Sequence, residues 1–417
     1  MGTYRIVGGA PLHGSVPIHG AKNSVLPILA ATLVTGDTCE LHNCPQISDV
    51  DDALEILRCL GCETEQCGAT IRVDTAAATP TELPAALMKR MRAAIIFLGA
   101  MLTRFSHAAL YHPGGCPLGE RPIDLHLRGL RLMGAECRYD GDGLYCTADG
   151  LHGCTLALPF PSVGATENLL LAALSCEGEV VICNAAREPE IADLIGFLRA
   201  CGAEIVGEGT SVLRIRGRCS LHGATYRILP DRMEAATYLA AAAATRGTLR
   251  LLDVRTEHLG AVLRVLQRGG CELETDANAL TIRCRALTAV SPIVTAPYDG
   301  FPTDAQAPMM AAMATAEGDS LFEETIFADR FRHVPALCAM GANITMAKRC
   351  ALVRGVERLH GATVAATDLR GGAAMVIAAL GARGESRITA TEHLERGYTA
   401  LAPTLRECGA EIIREGQ

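Results

Sequence analysis

Six times in 417 residues the chain repeats one short pattern: a glycine after an apolar or small residue, then a small residue, then a polar one. The copies are Leu60-Gly61-Cys62-Glu63, Met133-Gly134-Ala135-Glu136, Cys201-Gly202-Ala203-Glu204, Gly269-Gly270-Cys271-Glu272, Met340-Gly341-Ala342-Asn343 and Cys408-Gly409-Ala410-Glu411. They recur roughly every 70 residues, and self-similarity at a fixed period marks a chain built from copies of one supersecondary unit. Glycine after an amphipathic run closes a helix, because it enters the left-handed conformation at no steric cost. Each pattern therefore ends a helix and opens a strand.

Within each unit the order predicts a short strand, a polar loop, an Ala-rich helix, a Gly-led strand, a second loop, an amphipathic helix and two closing strands. The Gly-led strands begin at Gly36, Gly178, Gly247, Gly318 and Gly384. The amphipathic helices include Asp51–Leu60 and Glu190–Ala200, and the closing strands include 71–73 and 212–215. Ser162–Ser175 and Met233–Thr245 are apolar on every side, which is the mark of a buried helix. The expected class is α/β: an inside-out α/β barrel in each of two domains, three βαβαββ repeats per domain, helices inside and strands outside. A chain of this length is too long for one ordinary core.

Composition narrows the function. The net charge of -8 argues against a nucleic-acid surface, and no window of about 18 residues is apolar enough for a membrane span. No secretion signal is visible, so a cytoplasmic protein is expected. The 18 cysteines are scattered through apolar runs, as in a chain that keeps its thiols reduced. Cys59 and Cys62 have metal-like spacing, but no second pair follows, and Cys62, Cys201, Cys271 and Cys408 fill small or apolar slots of the repeat. Neither metal nor cofactor is expected. Walker A, GxSxG, GxGxxG and HExxH patterns are absent. His13, His152, His222 and His360 recur in Leu-His-Gly and read as a turn of the repeat.

One second loop stands apart. His112–His126, HPGGCPLGERPIDLH, is longer and richer in glycine than its counterparts and carries Cys116 close to Arg121. Glycine and proline exclude a helix or central strand there, so a mobile surface loop is expected. A guanidinium near a thiol can stabilise a thiolate or hold an anion. The plain alternative is that Cys116 is one more small apolar residue.

The first-loop position also recurs, just before each buried helix. It carries Lys22, Arg92, Arg232 and Arg370, where exposed N–H groups and the helix dipole already favour anions. A cation at that end is unfavourable for the helix and points to an anionic ligand; alternatively these are solvated turn residues. Arg187, Arg330 and Arg396 mark further second loops.

Taken together, Gly20-Ala21-Lys22-Asn23, PGGC with Arg121-Pro122-Ile123-Asp124-Leu125, NAAREPEI, LPDR, FPTD-x-Q, TDLR and Arg396-Gly397-Tyr398 resemble the enolpyruvyl-transferase family, on its UDP-N-acetylglucosamine 1-carboxyvinyltransferase side. The resemblance runs the whole length. It implies two lobes facing across a cleft, one of residues 22–229 and one of 1–21 with 230–417. It implies transfer of the enolpyruvyl group of phosphoenolpyruvate to the 3′-hydroxyl of UDP-N-acetylglucosamine, with release of phosphate, early in peptidoglycan synthesis.

By the same resemblance, Cys116 is the general acid and can form a covalent adduct, and Asp304 is the carboxylate near the sugar hydroxyl. Lys22, Arg121, Arg370 and Arg396 would hold phosphoenolpyruvate. Asn23, Arg92, Arg121, Pro122, Ile123, Asp124, Leu125, Ser162, Val163, Gly164, Asp304 and Ile326 would line the UDP-sugar site. Arg232, Arg330 and Asp368 complete the substrate-binding set, and the glycine loop would act as a lid. The two small substrates are the only partners expected, and the chain is expected to be a monomer. Ser48 and Phe160 stand where some relatives carry lysine, which removes positive charge from the nucleotide side. Competing readings are a shikimate-pathway transferase of the same fold, a silent paralogue that only binds UDP-sugar, and a cysteine hydrolase. The last lacks a histidine and orienting acid at recognisable spacing.

Overall fold

The computed structural model describes residues 2–90, 92–111, 123–141 and 143–415. Cys116, Arg121 and Pro122 lie outside the described residues, and so does most of the loop that carries them.

The six pattern glycines all take left-handed backbone, with φ between 82° and 100°. In every copy the residue after the glycine donates its N–H to a leucine carbonyl five positions back, at 2.9–3.0 Å: to Leu57, Leu130, Leu198, Leu266, Leu337 and Leu405. The glycine N–H reaches the carbonyl three positions back. This pair of bonds is the Schellman closure, which satisfies two carbonyls the helix leaves open. The Leu-His-Gly turns finish the job. His152, His222 and His360 donate backbone N–H to Met133, Cys201 and Met340, and their rings lie on the pattern glycines. A Cβ at Gly134, Gly202 or Gly341 would sit 3.0, 3.3 or 2.9 Å from imidazole. Glycine is thus required twice over, for conformation and for space.

Two compact units result. One runs up to His19 and resumes at Pro230; the other runs from Gly20 to Leu229. We call them the Asp304 unit and the Lys22 unit. Each has its own apolar core and three sheets. In the Asp304 unit the buried helices are Arg232–Thr245, Thr303–Met313 and Leu369–Gly381, and they pack against one another pairwise. Every residue of Arg232–Thr245 is buried. In the Lys22 unit the buried helices are Lys22–Thr32, Phe97–Phe105 and Val163–Ala173. Among the described residues, no helix is long and apolar enough to cross a membrane.

Strand pairing carries the chain from unit to unit. His13–Pro17 pairs in parallel with Thr248–Leu252 in the Asp304 unit, and Thr225–Arg227 pairs in parallel with Thr38–His42 in the Lys22 unit. The first and fourth repeats have thus exchanged leading strands. At the joins, His19 carbonyl accepts Asp231 N–H and Leu229 carbonyl accepts Ala21 N–H, both at 2.8 Å. Gly20 leaves no room for a side chain, since a Cβ would lie 1.7 Å from the Asn43 carbonyl oxygen.

Two repeats depart from the expected order. Among the described residues, the second repeat has no leading strand and its sheet has three strands, His107–Tyr111, Glu136–Asp140 and Gly143–Thr147. Its first loop is also not a loop. A helix Ala85–Arg90 and a 3₁₀ turn Arg92–Ile96 precede the buried helix, so Arg92 opens the turn and not the α-helix expected after it. In the sixth repeat the place of one closing strand is taken by Thr3–Gly8, which pairs with both Gly384–Thr389 and Glu411–Glu415.

Candidate active site

The Asp304 unit brings most of its sequence-derived candidates to the starts of its three buried helices. Arg232 opens one, and Asp304 and Arg370 are the second residues of the others. Asp231 and Asp368 cap two of the starts. Asp231 Oδ1 accepts Met233 N–H at 2.7 Å and Glu234 N–H at 3.1 Å; Asp368 Oδ1 accepts Arg370 and Gly371 N–H at 3.0 Å. Each cap contributes about 1 kcal/mol to its helix and brings negative charge to the end that favours it. That offsets the cations beside them.

The Asp304 carboxylate spans two buried guanidiniums. Arg330 Nη2 donates to Oδ1 at 2.7 Å and Arg370 Nε donates to Oδ2 at 3.2 Å. Both arginine side chains are 3% exposed, whereas that of Asp304 is 29% exposed. The carboxylate is therefore the accessible member of a fixed ionic triad. Arg330 Nε also donates to Thr303 carbonyl at 3.2 Å. Arg370 Nη1 donates to the Tyr398 hydroxyl at 2.9 Å, which lies 2.8 Å from Thr237 Oγ1. Burial alone would lower the Arg370 pKa, but Tyr398, Asp304 and Asp231 outweigh it and raise it, so this guanidinium stays charged. Its carbon lies 5.3 Å from the Tyr398 ring centroid, and that of Arg232 lies 5.5 Å from the ring of Tyr298. Arg396 is half-buried and follows the short helix Glu392–Glu395, two residues before Tyr398. Below Arg330, buried His333 is pushed down to about 4, first by burial, so it stays neutral.

In the Lys22 unit, Lys22 is the first residue of its helix and Asn23 beside it is exposed. Lys22 Nζ lies 2.8 Å from Asp49 Oδ2, with side chains 11% and 3% exposed. Asp49 belongs to the helix Ser48–Cys59, so that helix supplies the charge that offsets a cation at the start of the other. Asp193, also buried, collects the Ser24 hydroxyl, the Tyr226 hydroxyl and Leu229 N–H. The candidates Ile123, Asp124, Leu125 and Ser162–Gly164 meet through two polar residues that sequence reading passed over. Ile123 caps the helix Asp124–Leu132, and Ser162 caps Val163–Ala173. His126 from the first lies against Gly164, where a Cβ would be 3.3 Å from its ring, and its Nδ1 lies 3.0 Å from Asn168 Nδ2 on the second. Asn168 continues to Ile95 carbonyl and Gly99 N–H.

Besides Asn168, which lies inside the helix Val163–Ala173, two more residues were not legible as site residues. Asp49 is the second residue of the amphipathic helix Ser48–Cys59 and carries no motif of its own. Glu324 is 1% exposed and binds both the start of the Asp304 helix and the loop of Ile326. The only hint of it was the second of two adjacent acids, Glu323 and Glu324, where a Gly-led strand ends. Cys62, Cys201, Cys271 and Cys408 are buried, as the repeat slots require. Among the described residues, no group of three or more His, Cys, Asp or Glu could hold a metal ion.

Comparison with known proteins places this geometry. Residues 6–405 match the family model of EPSP synthase (3-phosphoshikimate 1-carboxyvinyltransferase). The solved enolpyruvyl transferase NikO from Streptomyces tendae superposes with a TM-score of 0.91 at 27% identity, covering 99% of this chain and 98% of that one. EPSP synthase from Acinetobacter baumannii shares the fold, with a TM-score of 0.76 at 19% identity and complete coverage of both chains. The chain belongs to this enolpyruvyl-transferase family, a two-domain α/β class. Closer in sequence are proteins named UDP-N-acetylglucosamine 1-carboxyvinyltransferase. That of Acidiphilium cryptum is 46% identical over 415 residues, 99% of each chain. That named UDP-N-acetylglucosamine 1-carboxyvinyltransferase 2, from Caldanaerobacter subterraneus subsp. tengcongensis, is 46% identical over 99% of this chain and 100% of its own.

Proposed function

We propose that this chain is a transferase that moves the enolpyruvyl group of phosphoenolpyruvate to the 3′-hydroxyl of UDP-N-acetylglucosamine and releases phosphate, the first committed step of peptidoglycan synthesis. The observation that carries the reading is the accessible Asp304 carboxylate fixed by two buried arginines, in a chain 46% identical along its length to enzymes of that name. Likeness to the shikimate-type structure is far weaker, at 19% identity, which favours the UDP-sugar as acceptor.

The chemistry is addition followed by elimination, and needs neither metal nor redox cofactor. Cys116 gives a proton to the methylene carbon of phosphoenolpyruvate, which makes the adjacent carbon electrophilic. The sugar hydroxyl adds to that carbon and passes its proton to Asp304. The Cys116 thiolate then takes back a methyl proton, the double bond re-forms, the carbon–oxygen bond to phosphate breaks with its electron pair leaving on phosphate, and Asp304 gives its proton to the departing phosphate. Lys22, Arg121, Arg370 and Arg396 hold the phosphate and carboxylate charges, and Arg232, Arg330 and Asp368 fix the surrounding helix starts. Asn23, Arg92, Pro122, Ile123, Asp124, Leu125, Ser162, Val163, Gly164 and Ile326 line the UDP-sugar. The inside-out barrels of residues 22–229 and of 1–21 with 230–417 are the two lobes of a cytoplasmic monomer.

Phosphate release tests the reading. Phosphoenolpyruvate with UDP-N-acetylglucosamine should give steady release, and phosphoenolpyruvate alone or with 3-phosphoshikimate should not. Release with 3-phosphoshikimate alone, or tight UDP-sugar binding without any release, would overturn it.

A further inference from the structure

Glu324 is an expensive residue to keep. Its side chain is buried at 1% exposure, and its carboxylate accepts hydrogen bonds from four neutral donors. Thr303 Oγ1 and Gln306 Nε2 donate to Oε2 at 2.9 and 2.8 Å; Ile326 and Phe327 N–H donate to Oε1 at 2.8 and 2.9 Å. Removing a carboxylate from water costs several kcal/mol, and only a full set of hydrogen bonds makes it tolerable.

The placement of the donors suggests what the group does. Thr303 and Gln306 sit in the first turn of the helix that carries Asp304. Ile326 and Phe327 begin the loop that ends at Arg330, whose guanidinium returns to Thr303 carbonyl and to Asp304. Helix start and loop are thus clamped at both ends, by Glu324 at one and Arg330 at the other. With Glu324 gone, the half-buried N–H groups of Ile326 and Phe327 would each lose their carboxylate acceptor, and the loop would shift to give them water instead. Arg330 moves with that loop, and the Asp304 carboxylate moves with Arg330.

We infer that Glu324 is a positioning residue of the transfer reaction: it sets the aim of the Asp304 carboxylate by holding the Arg330 loop onto the Asp304 helix. The inference rests on the proposed role of Asp304. It also distinguishes geometry from charge. Gln306 Oε1 has no hydrogen-bond partner among the described residues, so the Gln306 amide can turn over. Glutamine at position 324 can then keep its oxygen on the two loop N–H groups, give its own N–H to Gln306, and let the Thr303 hydroxyl accept.

The experiment compares Glu324→Ala, Glu324→Gln, Asp304→Ala and the double variant Asp304→Ala/Glu324→Ala by phosphate release. Glu324→Ala should lower kcat about 30-fold, within the roughly hundredfold that a 1 Å misplacement can cost, with KM for phosphoenolpyruvate within about twofold. Glu324→Gln should restore kcat to within about threefold of wild type. The double variant should be no slower than Asp304→Ala, because the two act through one group. Multiplicative losses, or equal losses in the Gln and Ala variants, would overturn the inference. Should Glu324→Ala fail to fold, Thr303→Val removes one donor and should give a smaller kcat loss with the same non-additivity. A crystal structure of Thr303→Val or Glu324→Ala separates this inference from the identity of the acceptor. An Arg330–Asp304 contact unchanged at 2.7 Å would refute the positioning role even if the wild-type enzyme used another sugar.

Discussion

The two units use one repeat to opposite ends. In the Asp304 unit three buried helices pack together, and their starts carry fixed charge: Arg232, Asp304 and Arg370, with Asp231 and Asp368 as caps. The Lys22 unit has one charged start, at Lys22, answered by Asp49 from the neighbouring helix. Its second start is displaced by a 3₁₀ turn, and its third is the neutral Ser162–Gly164. Pre-formed ion pairs suit a unit that must hold developing charge without rearranging. Under the proposed function, the neutral Ser162–Gly164 start and the glycine-rich sequence around Cys116 suit a unit that would fit around a sugar nucleotide and deliver a thiol. The difference teaches that a repeat fixes where helix starts lie and leaves their chemistry free.

The sharpest way to break this division is Cys116→Ser. It should slow turnover about 10³-fold, in the range lost with a general acid, and abolish inactivation by the epoxide fosfomycin. Full rate and full sensitivity would remove the acid from the Lys22 unit. Asp304→Ala should cost about 10²-fold in kcat while the Cys116 adduct with phosphoenolpyruvate still forms, read as a mass increase of the protein. Absence of the adduct in both wild type and variant would contradict the split between acid and carboxylate. Lys22→Ala should act differently, raising KM for phosphoenolpyruvate about tenfold as one charge contact is lost. It also takes the cation away from the buried Asp49, so the further change Asp49→Asn should recover thermal stability without recovering KM.

The smallest effects concern pH, and both belong to the Asp304 unit. His333 is pushed down to about 4 from an ordinary 6.5. The unfolded chain takes up a proton that the folded one refuses, so stability should fall as pH drops from 6.5 toward 4, by roughly 3 kcal/mol in all. His19 is raised above 6.5, first by its hydrogen bond to Glu234. Its contribution is complete below 6.5 and is lost as pH climbs through the raised value. The melting temperature should therefore peak near pH 6.5, with His333→Gln flattening the acid side and His19→Gln flattening the alkaline side. An unchanged acid slope in His333→Gln would show that the loss comes from elsewhere.

Much of the frame was legible because its signals are local. Glycine at the end of an amphipathic run, and a helix with no polar face, both follow from neighbours within one or two turns. The exceptions are long-range. Nothing near Thr3–Gly8 announces that it will sit between strands almost four hundred residues away, at Thr389 and Glu415. Lys89–Arg92 imitates a loop because basic residues interrupt the apolar pattern, yet Leu87 and Met88 supply the buried face of a short helix. At the site, Lys22, Arg232, Asp304, Arg330 and Arg370 could be named from position and motif. Their partners could not: Asp49 and Glu324 matter only through contacts that folding creates, and Tyr398 stood in a motif without its contact to Arg370 being legible.

The chain enters and leaves the Lys22 unit at neighbouring points, Ala21 and Leu229, joined by one 2.8 Å bond, and His19 and Asp231 are joined likewise. Among the described residues, the Lys22 unit is a single passage of chain between the two segments of the other unit. Cutting there should release a fragment whose two ends nearly touch, and the remainder should be sealable with a linker of a few residues. Each half could then be expressed by itself and titrated against its complement.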